Sequence, residues 1–229
     1  MGDNSKNKAI LSSFYNPSIL KGGVCGPIPR CGREILLITN MKDNRVVLLD
    51  CFGLFAPDPF GGYFKRHFGE NWRQVKDHYC EGADIGGITV NEMLVQMKAD
   101  LGIDPEDAMK EILSYSTPDP EMIALAKRFR QKHNIMLLSN CMDGMIEKIF
   151  AGSGFDECFD HQFRSYQLHR IKPGKEIYEY VLQALGPREK IIFFDDNQVN
   201  IDAGNRYGIP SVLFENVSHC EQVLLREGF

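Results

Sequence analysis

The sequence predicts an α/β protein, with a doubly wound parallel-sheet core that is interrupted just after its first strand by an α-helical insertion. Three observations carry that reading. From residue 133 onward, short apolar β-rich runs alternate with amphipathic helical patterns, as buried parallel strands and their crossover helices require. A run of the same kind, Val46 to Asp50, stands far upstream. Between the two, residues 60–132 keep helical periodicity with no strand-like run, and no internal repeat is present.

Composition agrees with a chain that buries a core: 229 residues, 43% hydrophobic and 25% charged. With 26 basic against 31 acidic residues and no basic run, the electrostatic footprint of a nucleic-acid binder is missing, so no nucleic-acid partner is expected. The apolar runs are only a handful of residues long, against the roughly 20 that cross a bilayer, so no membrane partner is expected either. The chain begins with a polar stretch, Met1 to Lys6, and its seven cysteines are scattered without a CxxC pair. Free thiols and a cytoplasmic location are the expectation from that usage.

Taken in order, residues 1–33 are rich in Gly, Pro, Asn and Ser and read as an irregular N-terminal arm. Ile35 to Thr39 and Val46 to Asp50 both read as buried strands, with Met41 to Asn44 able to turn between them as a hairpin. Residues 34–59 and 133–229 then form the core, and residues 60–132 the helical insertion. Within the insertion, Thr89-Val90-Asn91-Glu92 is a capping box opening a helix that Gly102 ends. Asp104-Pro105 opens a second helix and Pro118 to Lys132 makes a third. Beyond it the spacing predicts a strand at Ile135 to Leu138, a helix at Met142 to Phe150, a strand at Cys158 to Phe163 and a helix at Gly174 to Leu185. A strand at Ile191 to Phe194, a helix at Ile201 to Tyr207 and a strand at Ser211 to Phe214 follow.

Ligands of open α/β sheets sit beyond the carboxyl ends of the strands. There the sequence places Asp50-Cys51-Phe52-Gly53, Ser139-Asn140, Lys172-Pro173 and Asp195-Asp196-Asn197. A carboxylate nucleophile, a hydroxyl donor, a lysine and an acidic pair suit phosphoryl transfer through an aspartyl intermediate. Singly, each has a plainer reading. Asp50 suits a turn cap, Ser139-Asn140 the N-cap of the following helix, and Lys172 a solvated surface lysine. Asp195-Asp196 is harder to dismiss, because adjacent acids repel unless a cation or donor joins them.

The order Val46-Val47-Leu48-Leu49-Asp50-Cys51-Phe52-Gly53, Leu137-Leu138-Ser139-Asn140, Ile171-Lys172-Pro173, Phe193-Phe194-Asp195-Asp196-Asn197 resembles the four motifs of the haloacid dehalogenase-like hydrolase superfamily, in the branch with a helical cap between motifs one and two. The resemblance implies a Rossmann-like core with the nucleophile strand central between parallel neighbours. That leaves Ile35 to Thr39 to be an edge strand or a short helix. It further implies that Asp50 is the nucleophile, that Ser139, Asn140 and Lys172 bind phosphate, and that Mg²⁺ is held by Asp50, the Phe52 carbonyl, Asp195 and Asp196. The partner would be a small phosphorylated or otherwise anionic molecule. Family phosphatases carry a second Asp, as general acid and base, where this chain has Phe52, and dehalogenases of the superfamily carry an aromatic residue there. Three outcomes therefore stand side by side: a Mg²⁺-dependent phosphomonoester hydrolase with weakened or altered activity, a catalytically degenerate binding protein, and a 2-haloacid dehalogenase-like hydrolase. The aromatic stretch Phe52, Phe55, Phe60, Tyr63, Phe64, Phe68 and Trp72 is expected to pack the insertion onto the core rather than to form an apolar pocket.

Overall fold

The computed structural model describes residues 37–229, so the expected arm at 1–33 and residues 35–36 lie outside the described residues. Five parallel strands form one sheet in the order β3-β2-β1-β4-β5. They are β1 (Arg45–Leu49), β2 (Asn134–Ser139), β3 (His161–Arg164), β4 (Lys190–Asp195) and β5 (Ser211–Leu213). β1 is central, paired with β2 through Val47 opposite Ile135 and with β4 through Leu48 opposite Phe193.

The period of two along each strand sorts side chains between the two faces. Val47, Leu49, Ile135, Leu137, Ile192 and Phe194 enter one hydrophobic cluster, while Val46, Leu48, Met136, Leu138 and Phe193 enter another. Both faces are covered, so the runs read as continuously apolar rather than alternating. Fully burying each Val or Leu contributes roughly 1.5–3 kcal/mol.

Five helices separate β1 from β2: α1 (Pro59–Phe68), α2 (Trp72–Asp84), α3 (Val90–Leu101), α4 (Pro105–Ser114) and α5 (Pro120–Arg130). The capping box at Thr89 is formed in both directions, the Glu92 amide donating to the Thr89 hydroxyl and the Thr89 amide to the Glu92 carboxylate. α3 stops at Gly102, whose φ of 69° is the left-handed conformation that glycine takes without a Cβ penalty. α1 to α4 share a hydrophobic cluster of their own, into which the core side chains Met142 and Met145 insert. α5, by contrast, buries Met122, Ile123, Leu125, Ala126 and Phe129 in the cluster under the sheet.

α6 (Met145–Ile149), α7 (Ser165–Leu168), α8 (Lys175–Leu185), α9 (Gln198–Arg206) and α10 (Val217–Arg226) complete the chain. Several expectations are corrected. Leu37 to Thr39 is neither an edge strand nor a helix: β1 has both neighbours already, and the Ile38 backbone bonds instead to the Ala184 carbonyl and the Arg188 guanidinium. The helix expected from Met142 starts only at Met145, after Gly144 in the left-handed conformation. The strand expected from Cys158 starts at His161, because Phe155–Cys158 makes a 3₁₀ turn that stacks Phe155 on Phe150. The third helix of the insertion is shorter, opening at the Asp119 cap. α10 was not expected, although Asn216 caps it and Cys220, Val223 and Leu224 give it a buried face. Cys51, Cys80, Cys141, Cys158 and Cys220 are free and buried, and no helix of the described residues is long and apolar enough to cross a membrane.

Candidate active site

Parallel pairing brings the carboxyl ends of β1, β2 and β4 side by side, so residues distant in sequence meet there. The Asp50 amide extends the ladder by donating to the Phe194 carbonyl at 2.9 Å, which fixes the side chain at the top of the sheet. Lys172, on the loop before α8, reaches back beneath it. Its ammonium lies 3.0 Å from Asp50 Oδ1 and donates to Asp195 Oδ2 at 2.6 Å and to the Leu138 carbonyl at 2.9 Å. All three ammonium protons are therefore engaged within the protein.

Asp195 is fully buried and fully partnered, accepting from the Asn197 amide at 2.8 Å and from the Asn200 side chain at 3.0 Å as well as from Lys172. Asp196 is exposed beside it, and oxygens of Asp50, Asp195 and Asp196 all lie within 4.8 Å of one another. Three carboxylates around one ammonium leave negative charge uncompensated. Burial pushes Asp50 up to about 8, against the pull of Lys172 and with the help of Asp195 and Asp196. Burial and Asp195 raise Asp196 too. Burial alone would lower Lys172, but Asp195 and Asp50 hold it above its ordinary range, so it stays charged.

An all-oxygen donor set with surplus negative charge suits a hard divalent cation. Because Asp195 is spent on Lys172, Asn197 and Asn200, the oxygens open to an ion are those of Asp196 and the second oxygen of Asp50. No described hydrogen bond takes the Phe52 carbonyl either. Gly53 makes this packing feasible. Its φ is +86°, and a Cβ there would come within 2.2 Å of the Asp196 carboxylate carbon.

The other expected residues divide. Asn140 lines the cavity above the site, and its side chain is clamped to the Lys172 backbone by two bonds of 2.8 Å. Ser139 is buried at the end of β2, below the cavity lining, and its hydroxyl makes only a long 3.3 Å contact to the Asn140 carbonyl. Neither residue caps α6, whose N-cap is Gly144. Lys172, fully buried at its side chain, is no solvated surface lysine.

The cavity encloses about 690 Å³ between the strand ends and the insertion, lined by Asp50, Phe52, Lys172 and Asp196 below and by residues of α1 and α2 above. Of the aromatic stretch only Phe52, Phe60 and Trp72 reach it, while Phe55, Tyr63 and Phe64 are buried in the packing clusters. Sequence reasoning assigned no role to Asn200, Asp58 or the polar face of α2. Asn200 had a usable signal, since it lies five residues after Asp195 on the first turn of α9.

A family model described as haloacid dehalogenase-like hydrolase matches residues 58–208, about two thirds of the chain, a span that includes Ser139, Lys172, Asp195 and Asp196 but begins after Asp50. Among solved structures the chain is similar to a predicted HAD-like family hydrolase from Porphyromonas gingivalis, at 19% identity and a TM-score of 0.65, covering 80% of this chain and 98% of that one. It is also similar to a HAD family enzyme from Bacteroides thetaiotaomicron in complex with magnesium and inorganic phosphate, at 20% identity and a TM-score of 0.61, covering 75% and 94%. A third similar structure is the L-2-haloacid dehalogenase of Xanthobacter autotrophicus with chloropropionic acid covalently bound, at 15% identity and a TM-score of 0.55, covering 80% and 83%. At these identities the solved structures bear on the fold alone.

Proposed function

The chain belongs to the haloacid dehalogenase-like hydrolase family, and from that premise we propose that it is a Mg²⁺-dependent phosphomonoester hydrolase that works through an aspartyl-phosphate on Asp50. The observation that carries this reading is the convergence of Asp50, Lys172 and the Asp195–Asp196 pair at one end of the sheet, beneath a helical insertion that we take to act as a cap.

An Asp50 oxygen would attack phosphorus, forming the acyl phosphate as the bond to the leaving oxygen breaks. Water would then cleave the acyl phosphate to release inorganic phosphate and restore the carboxylate. Lys172 holds Asp50 in position by its 3.0 Å contact and keeps a fixed positive charge under the reacting phosphoryl group. Asn140, clamped to the Lys172 backbone, would present the β2 loop to the phosphoryl oxygens, and the weakly bonded Ser139 hydroxyl is the nearest further donor. Asp50, Asp196 and the Phe52 carbonyl would hold Mg²⁺, with Asp195 orienting the set from inside through Lys172. The ion, when bound, offsets the repulsion between carboxylate and phosphate.

Phe52 supplies no proton to the leaving oxygen, a contribution typically worth about 10²–10⁴-fold. The preferred substrates would therefore be those whose leaving group departs unprotonated, such as aryl or acyl phosphates. Phe52 is also the observation behind a second reading, release of halide from a 2-haloacid, in which the leaving group needs no proton. The acidic triad favours the phosphatase.

A panel of aryl phosphate, alkyl phosphate and 2-haloacid, with and without Mg²⁺, on wild type and Asp50→Asn separates the readings. Aryl phosphate turnover that requires both Mg²⁺ and Asp50 is the expected result, with Phe52→Asp raising alkyl phosphate turnover by up to about 10²-fold. Halide release independent of Mg²⁺ would establish the dehalogenase, and phosphate binding without turnover of anything would establish a binding protein.

A further inference from the structure

The upper wall of the cavity is one face of α2, where Arg73, Lys76, Asp77, Cys80, Glu81 and Asp84 recur at helical spacing. Its two cations are engaged. Lys76 is paired with the Asp58 carboxylate, and the Arg73 guanidinium lies over the neighbouring Trp72 ring, 4.5 Å from its centroid. No hydrogen bond or ion pair among the described residues engages the carboxylates of Asp77, Glu81 or Asp84.

The first two of these are exposed, but Asp84 is partly buried at the inner end of the helix. There it is tied to the reaction loop: the Ser165 hydroxyl donates to the Asp84 carbonyl at 2.6 Å and accepts from the Cys141 amide at 2.9 Å. Cys141 directly follows Asn140, the residue clamped to Lys172. The backbone that carries this carboxylate is thus anchored to the loop beside the site, and the side chain lines the same cavity as Asp50, where the part of a substrate beyond the phosphoryl group would lie.

Charge then decides what that part can be. A divalent ion and a phosphate dianion bring no net charge into the cavity, so the surplus on the α2 wall persists after they bind. A carboxylate or second phosphate on the substrate would meet like charge, whereas an ammonium would meet a fixed acceptor. We propose that, among phosphate esters, the cavity selects those whose leaving portion carries a protonated amine, with Asp84 as the residue that receives it. The proposal rests on the phosphomonoesterase reading and names its substrate class. Burial pushes Asp84 up to about 7 against the pull of Lys76, with Asp58, Asp77 and Glu81 adding to the rise, as expected of a carboxylate awaiting a cation.

The test measures affinity by calorimetry, with Mg²⁺ present, in an Asp50→Asn background that prevents turnover. The probes are three alkyl phosphates of equal length ending in an amine, a hydroxyl or a carboxylate. The amine ester should bind about tenfold or more tighter than the hydroxyl ester, and the carboxylate ester weakest. Adding Asp84→Asn should bring the amine and hydroxyl esters within about twofold, and Asp84→Glu should restore part of the gap. Equal binding of all three esters, no binding of any, or a preference that survives Asp84→Asn would overturn the proposal. If Asp84→Asn does not fold, the paired change Asp77→Asn with Glu81→Gln must still weaken amine preference for the proposal to stand. Because affinity is read without turnover, selective binding by a chain that hydrolyses no aryl phosphate sinks only the phosphatase reading. Aryl phosphate turnover without charge preference sinks only this one.

Discussion

Two carboxylates mark the difference between the floor and the roof of the cavity. Asp195, at the end of β4, is fully buried, and Lys172, Asn200 and the Asn197 amide between them take up both its oxygens. Asp84, at the end of α2, is partly buried and its carboxylate has no hydrogen-bond partner among the described residues. Around Asp195 the sheet end is a closed network in which Lys172, Asn197 and Asn200 position one another, and such networks hold one geometry. The α2 wall is open, so it constrains the protein little and a ligand much. The floor therefore suits chemistry that stays the same from turnover to turnover, and the roof suits choice among substrates.

Breaking the floor should have the largest effect. Lys172→Met leaves Asp50 and Asp195 buried without their cation, and the urea midpoint should fall by the equivalent of about 3–5 kcal/mol. Combining it with Asp195→Asn should recover part of that loss, and no recovery at all would show that the two side chains are not energetically coupled. Gly53→Ala comes next. The left-handed backbone costs an L-residue about 1–2 kcal/mol, and the new methyl must displace Asp196. Magnesium titrations should then show affinity weakened by about 10–100-fold, and an unchanged affinity would remove Asp196 from the ion's ligands.

On the roof, Asp84 should respond with the opposite sign. The folded chain binds the Asp84 proton more tightly than the unfolded chain, since its pKa rises from 3.8 to about 7. Its ionisation thus costs stability increasingly as pH climbs through that window, and in full above it. Asp84→Asn should accordingly stabilise the protein by about 1–3 kcal/mol near pH 8, with the gain vanishing near pH 4, as melting curves at both pH values will show. A variant that loses stability at pH 8 would mean the carboxylate is already partnered. The smallest effect belongs to Lys76→Met, which breaks a partly exposed surface pair with Asp58 at the rim of the cavity and should cost only about 1 kcal/mol, less at high salt.

The contrast between floor and roof is also a contrast in legibility. Asp50, Asp195 and Asp196 were readable because each ends a run whose apolar character already specified a parallel strand, and parallel pairing leaves one end for all of them, whereas Lys172 lies on a loop between helices and was readable only through the resemblance. Ser139 was readable as a strand end, but its depth below the cavity was not, because depth depends on where the Asn140 clamp places the loop above it. The polar face of α2 looked like any solvated helix face. Nothing local distinguishes Asp84, turned into a cavity, from Asp202, a carboxylate on the exposed side of α9.

By itself the sequence determined the alternation that makes the sheet, the Thr89 and Asp104 caps that start two helices of the insertion, and the carboxylates at the strand ends, because periodicity and capping are short-range. Only the tertiary structure decided that Lys172 spends all three protons inside the protein, that Gly53 must lack a Cβ to admit Asp196, and that Asp84 faces the cavity lined by Asp50 with no partner among the described residues. The physical reason is that a charge is stabilised by whatever lies within a few ångströms of it, and those neighbours come from segments tens to more than a hundred residues away in the chain.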